Sequence, residues 1–282
     1  MSTDDAVPHL IPLGEAKARS VFLDVCTIGP GDSFTAYGYK SAVLVGCVSK
    51  EGKYVGVGDG NVTDVIFLIQ FLLVRKNLGR VAEIAAPLGV FNSVSKISGH
   101  TVTLVLRPWV WLWHEKGSGR CEALLEPDVS DFCDISEIDP VKWRFEIEEV
   151  LRNAFPSASV WPCDSSALLW FGAFDRTNRL IAVTCVDSPW IGECPRVASL
   201  AVLPDSRGKR VGSALLVRAA KTAEMLPRIS GRQVVEVSAY AEETRVLALY
   251  DRLGFQRDAL IETIRISSNE PFSPGSLFRG WF

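Results

Sequence analysis

The chain has 282 residues, 48% of them hydrophobic and 22% charged, which excludes intrinsic disorder and suits two domains better than one core. Thirty-three acidic against 30 basic residues leave a net charge of -3, so the chain has no global basic field for nucleic acid. Seven cysteines, an odd number with no CxxC spacing, read as reduced buried thiols and exclude a structural zinc site of the usual pattern.

The opening "MSTDDAVPHLIPLGEA" has no apolar h-region and does not read as a signal peptide. The longest apolar run, "VIFLIQFLL" from Val65 to Leu73, is about half of what a membrane span needs. The expectation is a soluble, cytoplasmic protein without a membrane partner. The only histidines, His9, His100 and His114, lie in the first half. Any chemistry in the second half proceeds without a histidine of its own.

In chain order, "AVLVGCVSKEGKYVGVGDG" has apolar runs broken by glycines, as in a hairpin. Asp64 is the expected N-cap of a helix over "VIFLIQFLLVRK". "RVAEIAAP" predicts a buried strand ended by Pro87. "LGVFNSVSKISG" predicts a short helix closed by Gly99, and "HTVTLVLRPW" alternates as a strand. The mixed Gly, Ser, Glu and Lys segment after His114 places a domain boundary near residue 118.

Beyond it, "PVKWRFEIEEVLRNAF" is helical, with Trp143, Ile147, Val150, Leu151 and Phe155 on one face. Three strands follow as a meander: "SALLWFGAFD", "RLIAVTCVD" and "PRVASLAVLP". Val211, Ala214, Leu215, Ala219, Ala223 and Leu226 share a helix face, with Pro227 as the stop. "QVVEVSA" is a strand and "EETRVLALYDRLGF" a helix with Gly254 at its C-cap. "DALIETIRIS" is the last strand, and a Pro- and Gly-rich tail follows. This order specifies an α/β domain with a mixed sheet. The expected division is 1–118, 119–267 and an irregular tail over 268–282.

Between strand and helix lies "PDSRGKRVGS", with Arg207, Lys209 and Arg210, and Arg218 further on, against Asp205 alone. A helix start leaves backbone N–H groups without partners and favours an anion, so three cations there ask for a compensating negative group. Gly208 and Gly212 let such a group approach the main chain. The segment is neither a Walker A loop nor a dinucleotide fingerprint. Alone, it reads equally as a phosphate cradle or as a solvated basic turn.

The pair "LAVLPDSRGKRVGSALL" and "RVLALYDRLGF" resembles the GNAT superfamily of N-acetyltransferases over about residues 135–267. The family's first motif is Arg or Gln, two residues, Gly, one residue, then Gly or Ala. Arg207 and Gly212 match its ends, and Arg210 stands where glycine is usual. The second motif matches through Tyr250, Gly254 and Phe255, with Glu243 where asparagine is frequent. The resemblance implies acetyl-CoA as co-substrate and no metal. It implies that the main chain of Leu200, Ala201 and Val202 pairs with the pantetheine amides as an added strand. The backbone of Arg207, Gly208, Lys209, Arg210, Val211, Gly212 and Ser213 then holds the pyrophosphate.

The implied reaction is direct acetyl transfer to the amine of a small-molecule acceptor. The alternative is a non-catalytic acyl-CoA-binding or protein-interaction module. With no histidine nearby, the base falls to a carboxylate: Glu193 is the first choice, beside Asp187 and Glu236. Tyr250 is either a core tyrosine or the group whose hydroxyl faces the departing sulfur. The first half resembles, more weakly, a degenerate, non-catalytic copy of the same fold, as in tandem GNAT proteins. That arrangement is compatible with a monomer or a homodimer. Trp109, Trp111 and Trp113 alternate and so point to one face, as packing or as a substrate wall.

Overall fold

A computed structural model describes residues 7–12, 34–48, 53–74, 78, 81–96, 99–116, 124–188, 194–226 and 233–268. The fold is mixed α/β, as the sequence specifies, and the described residues form two compact units. Of the described residues, the first takes those up to Pro108 together with those from Ile261 onward. The second takes Trp109–Leu260.

The first unit contains β1 (His9–Leu10), β2 (Thr35–Tyr39), β3 (Ala42–Val48), β4 (Lys53–Asp59), α1 (Val62–Val74), β5 (Val81–Pro87) and α2 (Val90–Val94). Strands β3 and β4 are the expected hairpin. Helix α1 begins earlier than "VIFLIQFLLVRK" suggests. Asn61 caps it, its side chain accepting from the Thr63 N–H at 2.9 Å. Asp64 sits inside the first turn and accepts instead from the Ser41 hydroxyl at 2.8 Å. The helix buries Val65, Leu68, Ile69 and Leu72 against Leu44, Ile84 and Tyr54. The Tyr54 ring lies over two glycines: a Cβ on Gly46 would sit 2.6 Å from its Cζ, and one on Gly56 2.5 Å from its Cε1.

The second unit contains β7 (Asp134–Ile138), α3 (Arg144–Ala154), β8 (Ala167–Phe174), β9 (Leu180–Asp187), β10 (Arg196–Val202), a 3-10 turn (Pro204–Ser206), α4 (Val211–Glu224), β11 (Val234–Tyr240) and α5 (Thr244–Arg252). Helix α4 and α5 residues, among them Leu215, Leu247 and Tyr250, pack on one face of its sheet with Val235, Val237 and Ala239. Helix α3 packs Ile147, Val150 and Leu151 on the other face, against Trp170, Cys185 and Ala198.

Two long strands finish the sheets. The strand that follows α2, β6 (His100–Glu115), runs past "HTVTLVLRPW", and its Trp109–Glu115 part pairs antiparallel with β11, from Val234 opposite Glu115 to Tyr240 opposite Trp109. The last strand, β12 (Gln256–Ser268), pairs through Ile261–Ser267 with β5. The strand order is therefore β1-β2-β3-β4-β5-β12 in the first unit and β7-β8-β9-β10-β11-β6 in the second. Each unit's final strand comes from the other half of the chain. A cut at residue 118 separates both strands from the sheets they complete. The tail beyond Ser268 and the expected stop at Pro227 lie outside the described residues.

Fragments 1–118 and 119–282 expressed separately are thus expected to lack cooperative thermal unfolding, and to recover it when co-expressed. Two independently folding fragments, each with a sharp transition, would contradict the exchange of strands.

Candidate active site

The site is built around β10. Strands β10 and β11 run parallel, and among the described residues their register is recorded only where Arg196 lies opposite Glu236. Past that rung β11 keeps to β6 and β10 keeps to β9, with Ala201 opposite Val183 and Val202 opposite Ala182. The two parallel strands diverge. The first unit's counterparts, β4 and β5, stay paired from Lys53 opposite Val81 to Val57 opposite Ala85.

A bulge marks the divergence. The β10–β9 register shifts between Ala198 and Ala201, and Ser199 has φ 53. A left-handed non-glycine residue costs about 1–2 kcal/mol, and Ser199 offsets it through its side chain. Its hydroxyl donates to the Val160 carbonyl at 2.8 Å and accepts from the Val160 N–H at 3.1 Å. Beyond the bulge, the Leu203 N–H donates to Ile181 O at 2.9 Å, toward β9. By strand alternation the main-chain groups of Leu200 and Val202 then face the opening.

At the end of β10 the chain makes its 3-10 turn and enters α4. Gly208 has φ 80 and open space around its Cα, so the backbone conformation is what calls for glycine there. Arg210 is the helix N-cap, also left-handed (φ 63, ψ 6), which explains why glycine is favoured in that slot. The first intrahelical bond runs from the Ala214 N–H to Arg210 O at 3.0 Å, and α4 has no side-chain cap. The N–H groups of Val211, Gly212 and Ser213 precede that bond, an arrangement that suits an anion. Gly212 permits the approach of α4 to β10, since a Cβ there would lie 3.2 Å from the Val202 side chain. The matching helix of the first unit, α1, has its N-terminus closed by Asn61.

The four basic residues divide. Lys209 and Arg210 are exposed at the start of α4. Arg207 is also exposed, but its guanidinium is engaged: its Nε donates to Val202 O at 3.0 Å and its Nη2 to Ala154 O at 3.4 Å, fastening the loop to β10 and to the last turn of α3. A cation at a helix C-terminus is favourably placed. Arg218, counted with the basic group in the sequence, is held by Glu126 at 2.7–3.2 Å.

At the base of the opening lies a charged row that sequence reading picked out only in part. Asp187, 0% exposed, accepts two hydrogen bonds from Arg196, at 3.0 and 2.6 Å. Burial works against the Arg196 charge, but the hydrogen bonds and charge of Asp187 raise its pKa above the usual value. Arg196 lies opposite Glu236, which accepts from the Trp111 indole at 2.6 Å. The available signal was one charged residue in each of three otherwise apolar strands, "LIAVTCVD", "RVASLAV" and "VVEVSAY". Buried charges need partners, so these three belong together.

Tyr250 lies on α5 and is 5% exposed. Burial, and to a lesser extent Glu243, push its pKa well up, so its phenol is a neutral hydrogen-bond donor. Burial likewise raises the Cys185 thiol, followed by the charge of Asp187, which leaves it neutral and inert. Glu193 lies outside the described residues. Among the described residues there is no cluster of metal-ligating side chains and no helix long and apolar enough to cross a membrane.

Residues 169–257 match the family model of the acetyltransferase (GNAT) domain. No curated protein matches the sequence. Among solved structures, the chain is similar to a GCN5-related N-acetyltransferase from Kribbella flavida, with 14% identity, 91% of this chain and 96% of that one covered, and a TM-score of 0.51. It is also similar to a Drosophila protein at 12% identity, covering 94% and 100%, with a TM-score of 0.53. A tandem GNAT protein from the clavulanic acid biosynthesis pathway aligns at 12% identity over 95% and 99%, with a TM-score of 0.49. At such identities the likeness is one of fold.

Arg210→Gly is expected to stabilise the chain by about 1 kcal/mol by releasing the left-handed strain, read as a raised thermal midpoint. Arg210→Ala, which keeps the strain, is expected to give no gain. Equal midpoints for both variants would remove the strain from the account.

Proposed function

We propose, on the premise that residues 169–257 form a GNAT acetyltransferase domain, that the chain transfers an acetyl group from acetyl-CoA to the amine of a small molecule. The observation that carries this reading is the divergence of β10 and β11 directly beside an uncapped, basic helix start. An extended amide-bearing arm fits the first, with the main chain of Leu200 and the N–H of Val202 on offer, the Val202 carbonyl already accepting from Arg207. A pyrophosphate fits the second, on the N–H groups of Val211, Gly212 and Ser213, with Lys209 and Arg210 supplying positive charge. Ala201 anchors the wall to β9. Gly208 shapes the loop, and Arg207 holds it in place. The first unit, with its parallel strands paired and its helix capped, is read as non-catalytic.

A primary amine of pKa near 10.4 is about 0.04% neutral at pH 7, a cost of roughly 4.6 kcal/mol, so the site needs a proton acceptor. Asp187 is committed to Arg196. Glu236 stands at the rung where the strands part, fixed by Trp111, and is the described carboxylate best placed for the task. Glu193, the first choice on sequence, remains the competing candidate. The amine nitrogen attacks the thioester carbonyl carbon, the C–N bond forms and the C–S bond breaks. The ammonium proton passes to the carboxylate, directly or through water, and the thiolate leaves as the thiol after taking a proton from that carboxyl group or from water. With its pKa raised, Tyr250 serves as a hydrogen-bond donor to the departing sulfur and not as the source of that proton.

Calorimetric titration with acetyl-CoA and thiol release on an amine panel test the reading. Binding without turnover on any amine would favour a non-catalytic acyl-CoA module. Arg207→Ala is expected to weaken acetyl-CoA binding while keeping its salt dependence. Lys209→Ala is expected to weaken it about five-fold and to flatten that dependence. The reverse pattern would make Arg207 a phosphate ligand. Tyr250→Phe and Glu236→Gln are each expected to lower kcat, the latter by about a hundred-fold, at unchanged acetyl-CoA affinity. A loss confined to Glu193→Gln would assign the base to Glu193.

A further inference from the structure

Strand β6 carries into the second unit a histidine that the chain from residue 119 onward does not contain. This is His114. Cross-strand partners share a face. His114 lies opposite Val235, which belongs to the core under α4 and α5 together with Tyr250. The imidazole therefore enters that core. It is buried, and so is Glu224, whose Oε1 lies 2.6 Å from His114 Nδ1. Glu224 is the last residue of α4. A carboxylate there is disfavoured twice, by burial and by the negative end of the helix dipole. The bond to the imidazole offsets that cost. The proposed chemistry uses neither group.

From His114 a path of ring contacts leads to Tyr250. The His114 and Phe255 centroids are 5.7 Å apart, and those of Phe255 and Tyr250 5.8 Å apart, both within the range of interacting aromatic pairs. The second contact belongs to the way α5 ends. Gly254 is left-handed (φ 85), its N–H donates to Asp251 O at 3.0 Å, and the Phe255 N–H donates to Tyr250 O at 3.1 Å. This is the Schellman arrangement, in which the residue after the glycine packs near the residue whose carbonyl it binds. Main chain and side chain thus both hold Phe255 to Tyr250. The path runs Glu224, His114, Phe255, Tyr250, from the end of α4 to the end of α5.

We propose that His114 is a positioning residue for Tyr250. Fixed by Glu224, its ring backs Phe255 and so sets the place of the Tyr250 phenol. This rests on the reading of Tyr250 as the donor to the departing sulfur. A close-packed interior passes a displacement of one ring on to the next, and a misplaced reacting group is costly in rate. The first half of the chain then contributes to turnover without touching the substrate, through the strand it lends.

The full chain, labelled with carbon-13 at tyrosine Cζ, provides a readout that does not depend on activity. Of its five tyrosine signals, that of Tyr250 is the one lost in Tyr250→Phe. His114→Asn keeps a donor for Glu224 and takes the ring away from Phe255. Glu224→Leu keeps the ring and releases it. Each is expected to move the Tyr250 signal and to lower kcat about ten-fold at unchanged acetyl-CoA affinity. In a Tyr250→Phe background neither is expected to lower kcat further. The pair His114→Phe with Glu224→Leu restores a packed ring without an unpaired carboxylate, and is expected to return signal and kcat toward those of the parent chain. Should one single variant fail to fold, the other carries the test. An unmoved Tyr250 signal, or losses in kcat that multiply with that of Tyr250→Phe, overturns the proposal and leaves the pair a fastening of β6 to α4. A moved signal in a chain whose kcat is untouched by Tyr250→Phe supports the positioning path and counts against Tyr250 as the donor to sulfur.

Discussion

Everything at the site depends on two parallel strands parting after a single rung. A parallel pair that continues beyond Arg196 and Glu236 leaves no room for an added extended chain. Parting leaves main-chain groups of Leu200 and Val202 without a strand neighbour, which a sheet does not tolerate unaided. Two devices keep the strands apart. Ser199 turns left-handed and hooks its hydroxyl onto Val160, committing β10 to β9 and to the loop before β8. Below it, the Arg196–Asp187 ion pair fixes β10 to β9, with Glu236 of β11 opposite Arg196. A one-residue slip would bury each charge on the wrong side.

The two halves of the chain use the same succession of elements and reach opposite results. In the first, β4 and β5 stay paired from Lys53 to Val57, Tyr54 covers Gly46 and Gly56, and Asn61 closes the start of α1. In the second, the strands part and α4 begins without a side-chain cap. The distinction lies in local chemistry at three places: one bulge, one cap and one basic loop.

Much of this is visible in the sequence, and what is not has identifiable causes. Strong apolar periodicity locates α1, α4, β8, β9 and β10, and the spacing from Arg207 through Tyr250 to Gly254 locates the loop and α5. Strand β7 escapes because "DISEI" is polar and sits at a sheet edge, with one buried residue. Asp64 reads as the N-cap on paper, whereas Asn61 takes that place in the structure, because residues of both types cap well and only the backbone decides. Arg207 looks like a phosphate ligand until α3 brings the Ala154 carbonyl beside it, a long-range fact. The bulge at Ser199 has no local signature in an ordinary strand run. The exchange of β6 and β12 between sheets is least legible of all, since each strand reads correctly by itself and only its partner is unexpected.

That exchange sets an order of events during synthesis. The strand that finishes the first unit's sheet, Ile261–Ser267, is made long after the β5 strand it pairs with. At roughly 5–20 residues per second, the sheet edge at β5 waits on the order of ten seconds for its partner. Helix α1 and the Tyr54 core must hold a half-built layer through that interval. Residues 109–115, by contrast, are already present when β11 emerges, so the second unit is the first of the two to be completed.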